Sequence, residues 1–181
     1  MLRRSLSRRV ALALFCMLPL VAVAHGPSRQ KVTKDIVVNA PAAKVWGLIA
    51  DFCSISKWHP GVVKCEGAGG NEVGATRVLT VGQEGGPQIA EELQMYDAAK
   101  MTYKYRITKT DVSVLPVATY SAFLGVADNG DGTSTVSWKG GFYRSWGKNN
   151  PPPEQNDEAA IKAVTGTYEA GLANIKKLAE Q

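Results

Sequence analysis

The segment from 40 to 66 constrains the fold of this 181-residue chain more than any other part of its sequence. It follows a strand-like run and opens with Pro41, a residue favoured in the first turn of a helix. An apolar face over 45–49 predicts a short helix. Polar residues at 51–56 mark a break after this helix, and a second short helix begins within that break. The turn at 58–61 leads into a returning strand. A strand, two short helices and a return strand are typical of folds that enclose a cavity.

Alternating apolar residues and turn signals predict the other elements of the chain. Seven strands are expected, at 31–39, 61–67, 75–81, 88–96, 101–108, 117–127 and 133–143. The helices are expected at 42–50, at 54–57 and from Glu154 to the end. The last helix carries one apolar stripe, formed by Ile161, Val164, Tyr168, Leu172, Ile175 and Leu178. Since sequential strands with short turns pair antiparallel, the sequence predicts an α+β fold in which a curved sheet wraps round this helix and leaves a pocket.

Residues 1–24 have the composition of a cleaved export signal. Four arginines precede an apolar run over 10–21, and small residues at 22–24 form a cleavage site. The alternative is an uncleaved anchor, although the apolar run is shorter than the about 20 residues that span a membrane. We therefore expect a periplasmic protein with no stable membrane span, a flexible tail at 25–30 and a single domain over 31–181.

The net charge of the chain comes largely from the predicted signal. The full sequence has 21 basic and 16 acidic residues, and loss of the four signal arginines leaves 17 against 16. No basic run with interleaved aromatic residues remains in the sequence. A nucleic-acid partner is therefore not expected.

Two cysteines, Cys53 and Cys65, would remain after export. An oxidising compartment allows a disulfide between them, while two free thiols are the alternative. The sequence leaves both open, because it does not supply the Cα–Cα distance that a disulfide requires. The spacing does not suggest a metal site.

The strand periodicity places polar groups on the face that the last helix covers. The residues expected there are Ile89, Glu91, Leu93, Met95, Met101, Tyr103, Tyr105, Ile107, Tyr120, Ala122, Leu124, Val126, Val136, Trp138 and Phe142. Glu91 is then a carboxylate on an apolar face and needs a partner, for which Lys64 is the candidate. The tyrosines and Trp138 combine apolar area with a polar group, which suits an aromatic or polyketide-like ligand. Ordinary core packing explains them equally well.

The order of elements and a set of short motifs resemble the START-like superfamily over residues 31–179. The motifs are P-A-A-K-V-W at 41–46, A-D-F at 50–52, W-H-P at 58–60, V-K-C-E at 63–66, V-G-A-T-R at 73–77, E-E-L at 91–93, L-P-V at 115–117 and V-S-W at 136–138. That superfamily includes the polyketide cyclase/dehydrase and lipid-transport proteins, the birch-pollen allergens and the plant abscisic-acid receptors. The resemblance implies a helix-grip fold with an internal ligand cavity.

The resemblance also implies site residues and partners. Lys64, Glu91 and Tyr120 match positions at which the hormone receptors contact their ligand or its water network, whereas the loop at 82–87 does not match the receptors' gate loop. With its export signal, the chain looks like the MxaD-type periplasmic accessory proteins of methanol oxidation. That likeness implies a methanol dehydrogenase and its cytochrome as partners.

These observations favour a non-enzymatic protein that binds a small hydrophobic ligand, assists a methanol dehydrogenase–cytochrome system, or does both. The expected ligand-binding residues are Lys64, Glu91, Tyr103, Tyr105, Tyr120, Trp138 and Tyr168. No catalytic constellation, metal-spaced cluster or cofactor motif is present in the sequence. The alternatives are a polyketide cyclase/dehydratase-like enzyme in which Glu91 or a tyrosine moves protons, and a lipid-transport protein.

Overall fold

The computed structural model describes residues 26–181, so the predicted signal over 1–24 lies outside the described residues. Seven strands, three α-helices and a short 3-10 helix follow one another. In chain order they are β1 (Gln30–Val38), α1 (Ala42–Ile49), α2 (Ile55–Trp58), β2 (Val62–Ala68), β3 (Thr76–Val81), β4 (Gln88–Asp97), β5 (Thr102–Lys109), β6 (Val117–Asp128), β7 (Ser134–Arg144), the 3-10 helix (Pro153–Gln155) and α3 (Asp157–Ala179). The predicted helix-grip fold is confirmed.

The strands form one antiparallel sheet in the order β1-β7-β6-β5-β4-β3-β2. β1 and β2 are neighbours in sequence yet lie at opposite edges, because α1 and α2 carry the chain from one edge to the other. α3 packs against β1 and β7. The main hydrophobic core therefore lies between the sheet and the helices.

The long helix begins later than the sequence predicts. Residues 153–155 form the 3-10 helix, and α3 starts after Asn156, whose side chain accepts a hydrogen bond from the Ala159 N–H at 2.7 Å. Such an N-cap satisfies a free amide of the first turn. The predicted stripe is buried at Val164, Tyr168, Leu172 and Ile175 and only partly buried at its two ends, Ile161 and Leu178.

Gly171 of α3 lets the helix approach two indole rings. A Cβ at this position would lie 2.8 Å from His59 Cδ2, 2.8 Å from Trp138 Cζ3 and 3.3 Å from Trp58 Cζ3. These rings are buried, so there is little space into which they could move. The glycine therefore sets how closely α3 lies against the sheet and α2.

Irregularities in the strand register change which residues face the core. A shift between Leu93 and Met95 in β4 turns Tyr96 toward the core, where its ring lies 5.8 Å from that of Trp46. The prediction that Met95 faces the core is therefore wrong. A second shift, between Val62 and Lys64 in β2, leaves Val62 buried and the Lys64 side chain exposed.

Cys53 and Cys65 form a disulfide, with their Cα atoms 5.7 Å apart. Of the two alternatives left open by the sequence, the structure therefore has the bridge. It joins the connection between α1 and α2 to β2. A disulfide is consistent with an oxidising compartment.

Candidate ligand-binding site

A cavity of about 260 Å³ lies between α3 and the inner face of strands β2 to β7. Its wall is mostly apolar, with polar groups from a few side chains. The lining residues are Ile55, His59, Gly61, Val62, Leu79, Val81, Ile89, Glu91, Tyr105, Ile107, Val114, Leu115, Tyr120, Trp138, Gly166, Thr167 and Ala170. An apolar cavity of about 150 Å³ is known to hold benzene, so this one has room for a substituted ring.

Glu91 forms a buried ion pair at the wall of this cavity. It lies opposite Arg77 in the β3–β4 register, and Arg77 Nε donates to Glu91 Oε2 at 2.6 Å. The two side chains are only 1% and 6% exposed. Burial raises the pKa of the Glu91 carboxyl, although the Arg77 charge acts in the opposite direction. Glu91 Oε1 has no hydrogen-bond partner among residues 26–181, so the pair leaves an acceptor at the cavity wall.

Arg77 is fixed by more than its carboxylate partner. Its Nη1 donates to the Phe52 carbonyl, and its guanidinium lies 4.0 Å from the centroid of the Phe52 ring. The Tyr105 ring centroid is 5.2 Å away. Cation–π contacts of this kind become stronger when the cation is desolvated. Arg77 therefore holds Glu91 in place and ties β3 to the segment after α1.

A chain of hydrogen bonds joins four aromatic side chains beside the cavity. Trp138 Nε1 donates to the Tyr105 hydroxyl at 3.0 Å, the Tyr105 and Tyr120 hydroxyls lie 3.2 Å apart, and those of Tyr120 and Tyr168 lie 2.5 Å apart. Burial raises the pKa values of Tyr105 and Tyr120 well above 10, so both phenols are protonated at neutral pH. A Cβ at Gly140 would lie 2.1 Å from the Tyr168 hydroxyl oxygen, so only glycine leaves room for it.

His59 connects the α2–β2 turn to α3 at another part of the wall. Its Nε2 lies 2.9 Å from the Thr167 carbonyl oxygen, and its Nδ1 accepts from the Gly61 N–H at 3.1 Å. Because a carbonyl oxygen only accepts, the proton is on Nε2 and the ring is neutral. Burial lowers the pKa of His59 below 6.5.

The structure brings Glu91, Tyr105, Tyr120 and Trp138 together at the cavity wall. Tyr103 and Tyr168 are buried but do not line the cavity. Tyr168 lies behind the wall, with its ring stacked on Trp138 at a centroid distance of 4.4 Å. Its contact with the site is therefore indirect, through the Tyr120 hydroxyl.

Lys64 is not brought to this cavity. Its side chain is 58% exposed and pairs with Glu66, with Nζ 3.0 Å from Oε1. The partner of Glu91 is Arg77, so the pairing of Glu91 with Lys64 predicted from the sequence is wrong. The shift in β2 between Val62 and Lys64 explains why Lys64 points away from the core.

Sequence reasoning missed Arg77 and the role of His59. Arg77 alternates with the buried Ala75 and Leu79, a pattern that places it on the inner face. That signal was ambiguous, because Val78 and Thr80 on the opposite parity also suit a buried strand. The W-H-P motif indicates a turn at His59 but not the carbonyl of α3 that the imidazole meets.

Two further properties concern the described part of the chain. Within residues 26–181, no group of three or more His, Cys, Asp and Glu side chains lies close enough to hold a metal ion. None of the helices in that range is both long and apolar enough to cross a membrane.

The comparisons with known proteins agree with this architecture. The family model described as polyketide cyclase / dehydrase and lipid transport matches residues 29–180. The protein XoxI from Bacillus cereus is 26% identical, with 82% of this chain and 94% of that chain covered and a TM-score of 0.68. Curated protein sequences gave no match.

Two enzymes share the fold at lower identity. The Zhui aromatase/cyclase from Streptomyces sp. R1128 is 19% identical, covers 84% of this chain and 94% of its own, and has a TM-score of 0.66. Norcoclaurine synthase from Thalictrum flavum, solved with dopamine and hydroxybenzaldehyde, is 18% identical, covers 95% and 96%, and has a TM-score of 0.63. At these identities the likeness concerns the fold alone.

Proposed function

We propose that this chain, which belongs to the polyketide cyclase/dehydrase and lipid transport family of the START-like superfamily, binds a small hydrophobic or aromatic ligand without transforming it. The observation that carries the proposal is the cavity of about 260 Å³ between the sheet and α3. A concave, mostly apolar space with a few convergent polar groups is the usual form of a small-molecule site.

The size of the cavity narrows the ligand class. Its volume lies just below the range of about 300–1,000 Å³ typical of sites for drug-sized ligands. One or two fused rings with short substituents fit such a space, whereas a long acyl chain does not. The volume therefore supports an aromatic ligand over the lipid-transport alternative.

The proposal is tested by titrating the protein with naphthalene and following backbone amide signals by NMR. Val114 lies in the loop that borders the cavity, and Val114→Trp is expected to fill it and abolish binding. Val112 of the same loop is 44% exposed and does not line the cavity, so Val112→Trp is the matched control and should bind normally. Absence of binding at millimolar naphthalene, or equal binding by both variants, would contradict the proposal.

The proposal extends to location and domain organisation. The chain is exported to the periplasm, loses residues 1–24 and functions as one domain over 31–181. The arginine-rich start with its apolar run supports export, and the Cys53–Cys65 bridge fits an oxidising compartment. Mass spectrometry of the protein recovered from a periplasmic extract tests this, since a mature chain that begins at residue 25 is expected.

The methanol-oxidation role rests on the resemblance to the MxaD-type proteins. In this part of the proposal the chain assists electron transfer between a methanol dehydrogenase and its cytochrome. Pull-down from a methanol-grown periplasmic extract at low salt, with the tagged mature chain as bait, should recover both proteins. Recovery of neither would remove this part and leave ligand binding untouched.

One observation favours an enzyme as the second candidate. Glu91 lies at the wall of the cavity, and burial raises the pKa of its carboxyl toward the range in which a carboxylate serves as a general base. If the protein acts as a cyclase or dehydratase, Glu91→Gln and Tyr120→Phe should each lower turnover of a confirmed substrate by about 10²–10⁴-fold. Unchanged turnover would exclude both side chains from proton transfer.

A further inference from the structure

The hydrogen-bonded chain of Trp138, Tyr105, Tyr120 and Tyr168 has one proton more than it can use. Four heavy atoms in a row make three hydrogen bonds, and each bond uses one proton. The indole N–H and the three hydroxyls supply four protons. One hydroxyl proton therefore has no acceptor among these four side chains, whichever way the hydrogen bonds are oriented.

The indole fixes one end of the chain, because an indole N–H only donates. Tyr105 therefore accepts from Trp138. The surplus proton then belongs to Tyr105, Tyr120 or Tyr168, depending on the directions of the two hydroxyl–hydroxyl bonds. None of the three hydroxyls has another hydrogen-bond partner among residues 26–181.

The surroundings of the three hydroxyls differ. Tyr105 and Tyr120 line the cavity, whereas Tyr168 does not. The Tyr168 hydroxyl is enclosed by the Gly140 backbone and the Tyr120 side chain. A buried donor without an acceptor is costly, so the favoured arrangement directs the surplus proton into the cavity from Tyr105 or Tyr120.

We infer that the ligand carries a neutral hydrogen-bond acceptor, such as a ketone, aldehyde or ether oxygen, that accepts this surplus proton from the Tyr105–Tyr120 pair. The inference rests on the proposed function and names the chemical class of its ligand. A carboxylate is disfavoured as the acceptor, because the buried Glu91 already presents a carboxylate oxygen at the cavity wall.

Two probes of nearly equal shape test the inference. Acetophenone has a carbonyl oxygen where α-methylstyrene has a CH₂ group, and both are small enough for the cavity. The quantity to measure, by NMR titration, is the ratio of their dissociation constants. Comparing this ratio between variants cancels the difference in the solubility of the probes.

In Tyr105→Phe/Tyr120→Phe, both cavity hydroxyls are absent, and the ratio should move against acetophenone by about three- to tenfold. Tyr168→Phe is the matched control, since it removes a hydroxyl from the same hydrogen-bonded row but not one that lines the cavity. Without that hydroxyl, the surplus proton must reside on Tyr105 or Tyr120, so the preference for acetophenone should be kept or increased. A purely structural role of the chain predicts the same loss in both variants.

The outcomes separate this inference from the proposed function. An unchanged ratio in the double variant, or a loss in Tyr168→Phe as large as in the double variant, would overturn the inference while binding itself stands. Failure of both probes to bind the unaltered protein would overturn the proposed function and the inference with it. If the double variant does not fold, the infrared carbonyl band of acetophenone bound to the unaltered protein decides, because a hydrogen-bonded carbonyl absorbs at lower frequency than in hexane and an unshifted band contradicts the inference.

Discussion

The buried pair of Arg77 and Glu91 should contribute far more to stability than a similar pair on the outer face of the sheet. Replacing Arg77 by Met leaves a carboxylate buried without its partner, which typically costs about 3–5 kcal/mol. The Phe52 carbonyl also loses its donor, which moves the expected cost toward the upper end of that range. At about 2–4 °C per kcal/mol for a chain of this size, the melting temperature should fall by roughly 6–20 °C.

The assay is urea unfolding followed by tryptophan fluorescence, with the disulfide intact. Arg106→Met is the matched control, because Arg106 on β5 pairs with Glu92 on β4 at 2.9 Å, but the two side chains are 50% and 28% exposed. An exposed pair of this kind contributes about 0–1 kcal/mol. If Arg77→Met shifts the unfolding midpoint no more than Arg106→Met does, the buried pair has no special energetic role.

The pH dependence provides a second check on the same variants. Without Arg77, burial alone acts on Glu91 and raises the pKa of its carboxyl further above the ordinary 4.5. A raised folded-state pKa favours the folded protein as the pH falls, with a slope of at most about 1.4 kcal/mol per pH unit. The loss of unfolding free energy caused by Arg77→Met should therefore become smaller as the pH falls from neutral toward 4.5, the ordinary pKa of a glutamate carboxyl. The cost of Glu91→Gln should not shrink, because the buried guanidinium cannot lose its charge.

Three further predictions concern residues around the cavity. Burial lowers the pKa of His59 below 6.5, so the free energy of unfolding should fall as the pH drops from about 6.5 toward that lowered value. In urea unfolding between pH 7 and pH 5, His59→Gln should show a weaker dependence of the free energy of unfolding on pH. Loss of the bridge in Cys53→Ser/Cys65→Ser should lower the free energy of unfolding by about 2–4 kcal/mol, and a cost near zero would contradict its structural role. Gly171→Ala should lower the melting temperature, because overpacking at about 1–3 kcal/mol exceeds the gain in helix propensity, whereas Gly166→Ala, with no atom within 4 Å of its Cβ, should raise it slightly.

The sequence was sufficient for the order of elements and for most of the inner face. Its strands alternate clearly and are joined by short turns, so the parity of Tyr103, Tyr105, Tyr120 and Trp138 could be read directly, and all four are buried. The apolar stripe of the last helix was also predictable from the sequence, whereas the residue at which that helix begins was not. A proline-rich run precedes Glu154 and allows either a helix or a 3-10 helix, and only the N-cap at Asn156 distinguishes them.

The errors arose where the strands are irregular. A one-residue shift in register moves every following side chain to the other face of the sheet, and the local sequence does not predict where such a shift occurs. This explains why Lys64 is exposed although the sequence predicts it at the cavity, and why Tyr96 faces the core in place of the predicted Met95. The pairing of Glu91 with Arg77 depends on the alignment of two strands, which periodicity within a single strand does not determine.

The disulfide has a consequence for the behaviour of the protein at high concentration. β2 is an edge strand, and the unpaired amides of an edge can recruit a strand from another molecule. The Cys53–Cys65 bridge ties this edge to the connection between the helices, and the outward Lys64 and Glu66 place charges along it. In a reducing environment the edge would lose this anchor, so the reduced chain would be prone to aggregation through β2.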